Sequence, residues 1–100
     1  MIWAAEFKAR FEVEDMELTK GQVVYSKSGH DKGLPFIVLD LQEDYVFLAD
    51  GKLRKLEHPK RKKIKHVQIT NFVVEDIKKR LENGDYLLDA DISKALKEWR

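Results

Sequence analysis

The side chains with the most chemical capacity in this chain are cationic, and they are crowded. Between Lys52 and His66 stand Lys52, Arg54, Lys55, Lys60, Arg61, Lys62, Lys63 and Lys65 against the single acid Glu57, a local charge of +7 in a chain whose formal net charge is +1. The remainder is therefore net acidic, and the positive charge is concentrated in one stretch. Solvated lysines are common on any exterior. Cations this dense repel one another unless an anion lies among them, and nucleic-acid phosphate is the usual one. The run is read as a phosphate-contacting surface, with His58 beside it as a hydrogen-bonding ring.

A second group lies in the segment KSGHDKG, with Lys27, Gly29, His30, Lys32 and Gly33. Two glycines four apart permit left-handed backbone and let the main chain approach a phosphate, while the lysines bring charge to the same place. The same glycines would also serve a plain turn. His30, His58 and His66 are far apart and no cysteine joins them, so no metal site is expected, nor any disulfide. Asp40, Glu43, Asp44 and Asp50 fall at strand ends and turns instead of pairing within an apolar pattern. Acid–base catalysis is not expected. Tyr25, Phe36, Tyr45 and Phe47 offer faces for base stacking; core packing accounts for most of them, and Tyr25 stays open.

The elements that must position these groups are short strands followed by helices. Val23 to Ser26 and Phe36 to Leu41 are apolar, β-branched and aromatic runs on either side of the glycine loop. Tyr45 to Ala49 follows a polar break, and Asp50-Gly51 signals a tight hairpin into a fourth strand, Lys52 to Glu57. Leu53 and Leu56 break strict alternation there, so that strand is expected to bend. The fifth is Ile64 to Ile69, beyond Pro59. Strands two and three are apolar at both parities: Phe36 and Val38 against Ile37, Leu39 and Leu41, then Tyr45 and Phe47 against Val46 and Leu48. Both faces need cover. Helical spacing of Val73, Val74, Ile77 and Leu81, with Thr70 or Asn71 as N-cap and Asn83-Gly84 as stop, supplies one helix. A second, capped by Asp89 or Asp91, places Ile92, Leu96 and Trp99 on one stripe.

In an antiparallel meander of these five strands, GHDKG and Asp50-Gly51 share one end. The loop HPKRKK then lies at the other, and Lys52, Arg54 and Lys55 join the two as a basic track along the fourth strand. The whole is expected to be mainly β with α: residues 16–70 a barrel, 71–100 two helices packed on it. Residues 1–15 are read as an extension, in which Phe7, Ala9, Phe11 and Val13 alternate like a strand, the reading favoured, while Trp3, Phe7 and Phe11 also fit a helix.

The segment GQVVYSKSGHDKGLPFIVLD resembles the KOW motif of several ribosomal proteins and of the transcription factor NusG and its relatives. It has the entering strand, the Gly-x-Asp-Lys-Gly loop and the second strand. It departs at Leu34-Pro35-Phe36, where many members carry another glycine. Through ADG at 49–51 and HVQITNF at 66–72 the chain is also similar to ribosomal protein fourteen of the archaeal and eukaryotic large subunit. The GQVVYSK and DGKLRK stretches resemble small bacterial KOW-domain proteins described as RNA-binding, which start as the chain does at Met16. The resemblance implies a five-stranded SH3-like barrel and structured RNA, ribosomal RNA foremost, as partner. It implies no enzymatic activity, cofactor or small-molecule substrate. The expectation is a cytoplasmic bacterial monomer acting in translation, with RNA contacts from Lys27, Gly29, His30, Lys32, Gly33, Lys52, Arg54, Lys55, His58, Lys60, Arg61, Lys62, Lys63 and Lys65. Docking on a ribosomal protein or RNA polymerase is the alternative. No apolar run approaches the roughly 20 residues that cross a bilayer.

Overall fold

A computed structural model describes residues 18–100. The expected extension and its strand fall outside the described residues. Five antiparallel strands, β1 Gln22–Ser26, β2 Pro35–Gln42, β3 Tyr45–Ala49, β4 Lys60–Lys63 and β5 Val67–Val73, form one sheet in the order β4-β3-β2-β1-β5. Two helices follow, α1 Glu75–Asn83 and α2 Asp89–Ala95. The architecture is mainly β with two short C-terminal helices, consistent with an SH3-like barrel although the sheet is not closed. β4 and β5 are its edges, and a single 3-10 turn, Ile64–His66, joins them. That turn is tied at both sides: Ile64 N–H donates to Asp44 O at 2.8 Å and Lys27 N–H to His66 O at 2.8 Å.

The two-sided apolar pattern of β2 and β3 is met by two separate cores. Inside the curl, Val24, Phe36, Val38, Val46, Leu48 and Val67 pack with Leu18. On the other face, Val23, Ile37 and Ala49 are covered by Ile77, Ile92 and Leu96 of the helical segment. Truncating Phe36, Ile37, Leu48, Ile77, Ile92 or Leu96, all fully buried, to alanine would cost about 2–5 kcal/mol. The shared face expected for Ile37, Leu39 and Leu41 is corrected by an irregularity between Val38 and Asp40. It leaves Leu39 with the helix-side core and turns Leu41 to the inner one. A further interruption lies between Gln22 and Val24 where β1 meets β5. Side chains satisfy the backbone there, Gln22 Nε2 donating to Thr70 O at 2.7 Å and Thr70 Oγ1 to Val23 O at 2.7 Å.

The larger correction concerns the fourth strand. Lys52 to Glu57 forms turns, and the strand is instead Lys60–Lys63, the basic run itself. Asp50 is the cause. Its buried Oδ1 accepts from Lys52 N–H at 2.9 Å and Arg54 N–H at 2.8 Å, while Asp50 and Gly51 N–H both donate to Arg54 O. The chain is thus coiled back on itself where a hairpin would have extended it. Neither Thr70 nor Asn71 caps α1, because β5 continues through both; Val74 occupies the N-cap, and Gly84, φ 71°, ends the helix as expected. Leu88 precedes α2, its N–H donating to Asp91 Oδ2 at 3.0 Å. Arg80 pairs with Asp76 on its own helix at 3.1 Å and joins the two helices through Asp91 at 3.0 Å.

Candidate nucleic-acid interface

β4 reads Lys60-Arg61-Lys62-Lys63, and strand geometry sends alternate side chains to opposite faces. Register with β3 decides which go where. Lys62 stands opposite Val46 and Lys60 opposite Leu48, both inner-core residues; Arg61 stands opposite Phe47 and Lys63 opposite Tyr45. The run therefore divides two and two.

An ammonium group turned towards an apolar core is costly unless paired. Asp31, the acid of GHDKG, pairs both inward lysines. Its Oδ2 lies 3.1 Å from Lys60 Nζ and its Oδ1 3.3 Å from Lys62 Nζ, and Lys62 also donates to Ser28 O at 3.0 Å. Ser26 Oγ lies 2.6 Å from Asp31 Oδ1. The Lys62 side chain is 9% exposed and that of Asp31 13%. Burial works to raise the Asp31 carboxyl pKa, but hydrogen bonds from Ser26, Lys60 and Lys62, with the Lys62 charge, outweigh it. Together they lower it from the ordinary 3.8 to about 2. This carboxylate escaped the sequence reading, which sought the neutralising anion in a ligand. The available signal was a lone acid among the cations of the loop, with nothing in its neighbourhood to say which distant strand it meets.

The same contacts correct the expected layout. HPKRKK does not lie at the opposite end from GHDKG; it enters β4 beside it, because with Lys52–Glu57 folded into turns the meander has one strand fewer before the run. The predicted track of Lys52, Arg54 and Lys55 along a strand becomes a loop. That loop is anchored, Leu56 N–H donating to Asp89 Oδ1 at 2.7 Å and Arg100 Nη2 to Asp50 O at 3.1 Å. Gly51, φ 81°, lies so close to α2 that an added Cβ would strike the Asp89 carbonyl and the Ser93 backbone. Lys52, Arg54, Lys55 and His58 are exposed on it.

In the GHDKG loop, Gly29 and Gly33 adopt φ 84° and 87°, the left-handed backbone their spacing suggested. Gly33 N–H donates to Ser26 O at 2.8 Å and Ser26 N–H to Leu34 O at 3.0 Å, closing the hairpin and leaving Lys27, His30 and Lys32 exposed. Tyr25 is engaged internally: its hydroxyl donates to Trp99 O at 3.1 Å and its ring lies 6.3 Å from that of Trp99.

On the outer face of β3 and β4 the Arg61 guanidinium sits 4.4 Å from the Tyr45 ring centroid, and Lys63 Nζ 6.0 Å from it. Tyr45 and Phe47 are half-buried and belong to neither core. Arg61, Lys63 and the neighbouring Lys65 are exposed. Cations and aromatic faces thus share one surface, an arrangement able to hold phosphate and base together. Among the described residues no group of three or more His, Cys, Asp or Glu side chains is placed to hold a metal ion, and no helix is long and apolar enough to cross a membrane. Neither the protein-family models nor the curated proteins contain a match to the sequence.

Proposed function

We propose that this chain is an RNA-binding protein of the KOW kind. It grips phosphate and sugar of structured RNA, ribosomal RNA first among them, and acts in the cytoplasm in translation without catalysing a reaction. One observation supports the reading above the rest. After Lys60 and Lys62 are set aside, Lys52, Arg54, Lys55, Arg61, Lys63 and Lys65 all reach solvent, and among the described residues none forms an ion pair with a carboxylate. Six exposed like charges on one loop, one strand face and one turn favour a polyanion. Lys27, His30 and Lys32 extend the surface.

Binding of a fluorescent ribosomal RNA hairpin is the test. Log affinity should fall linearly with log salt, with a slope of roughly −0.7 to −0.9 per phosphate engaged. Absent or salt-insensitive binding would remove RNA as the partner. Complexes purified from cells that survive nuclease intact would point to docking on a ribosomal protein or polymerase.

A further inference from the structure

We infer that the outer face of β3 and β4 takes an unpaired RNA base, stacked on the Tyr45–Arg61 pair, so that a bulge, loop or single-stranded end is required for full affinity. The inference rests on the RNA reading above and specifies its substrate.

Three features lead to it. Tyr45 and Phe47 lie on one sheet face and, among the described residues, are packed into neither core, each keeping part of its ring exposed. Arg61 lies over Tyr45 at 4.4 Å, and a guanidinium so placed extends the aromatic surface and offers a second planar face to a base. Cations stand next to the ring. Lys63 stands opposite Tyr45 at the end of β4, with Lys65 two residues on, and the exposed turn Gln42-Glu43-Asp44 lies beside them, Ile64 N–H donating to Asp44 O at 2.8 Å. A phosphate held by Arg61, Lys63 or Lys65 would bring its base within reach of Tyr45.

A paired A-form helix cannot use such a platform, because its bases are stacked on one another and its deep groove excludes the side chains. An unpaired nucleotide can. Base stacking on a protein aromatic group is enough to separate a bulged from a continuous duplex by roughly ten-fold or more.

The experiment uses two RNAs of the same length, a perfect duplex and one with a single bulged 2-aminopurine, against wild type, Tyr45→Phe and Tyr45→Leu. The bulged base should lose fluorescence on binding wild type and Tyr45→Phe. Tyr45→Leu should abolish that quenching and lower affinity for the bulged RNA roughly ten-fold, a larger loss than for the duplex. Equal affinity of wild type for both RNAs, or an unquenched bulge in the wild-type complex, would overturn the stacking site without relying on any variant to fold. If wild type binds neither RNA, the RNA reading itself fails.

Discussion

On β4, Lys60 and Lys62 end at Asp31 beside the inner core, whereas Arg61 and Lys63, each one residue away, end in solvent near Tyr45. The four side chains are nearly alike in charge and length, and strand parity alone separates them. The inward pair ties an edge strand to the β1–β2 loop; the outward pair adds to the exposed basic surface. A charge count along the sequence therefore overstates what a ligand can meet. It also hides a carboxylate nearly thirty positions earlier in the chain that neutralises part of the run from within.

The comparison breaks most visibly at Asp31. Asp31→Asn removes the counter-ion of two lysines, one almost fully enclosed, and should lower stability by about 2 kcal/mol or somewhat more in urea denaturation at neutral pH. Adding Lys62→Met should restore a large part of the loss, since a thioether tolerates that site where an unpaired ammonium does not. A loss under about 1 kcal/mol would show that the inward pair contributes little to holding β4 on the β1–β2 loop.

Gly51→Ala examines the anchoring of the exposed loop. With φ 81° and the α2 backbone in the way, the added methyl should cost about 2–3 kcal/mol and shift the thermal midpoint down. An unchanged midpoint would mean that the loop can leave α2 freely.

Acid denaturation sharpens the account of Asp31. Its pKa is 3.8 ordinarily and about 2 in the fold, so between those values the unfolded chain binds the proton more readily. The stabilisation is complete above 3.8 and is lost as pH falls towards 2, amounting to about 2 kcal/mol. Stability measured against pH should show this limb in wild type and lack it in Asp31→Asn. Identical acid limbs in the two proteins would contradict the pairing.

Much of the fold was legible because its signals are local. Apolar residues at both parities of Phe36–Leu41 demanded cover on two sides, and Ile77, Ile92 and Leu96 provide it from helices that the 3.6-residue spacing revealed. Gly84 stopped α1 as its conformational freedom suggested. The fourth strand was misplaced because Asp50 uses its side chain to coil the following backbone, an outcome that Asp-Gly before a weakly alternating stretch does not distinguish from a hairpin. That error carried into the site, since strand count fixed where HPKRKK was thought to lie. The outward role of Tyr45 was obscured for another reason. An aromatic residue in a strand reads as core until the partner strand, its register and the reach of the helices are known.

The most direct test of the central claim compares the two faces of one strand. Arg61→Gln with Lys63→Gln, and separately Lys60→Gln with Lys62→Met, are measured for unfolding free energy and for the salt slope of RNA binding. The outward pair should flatten the slope by roughly 1 per cation removed and leave stability within about 0.5 kcal/mol. The inward pair should reduce stability and, at temperatures where the protein stays folded, leave the slope unchanged. If both pairs flatten the slope alike, or the outward pair leaves it unaltered, strand parity does not divide fold from binding and the account is wrong.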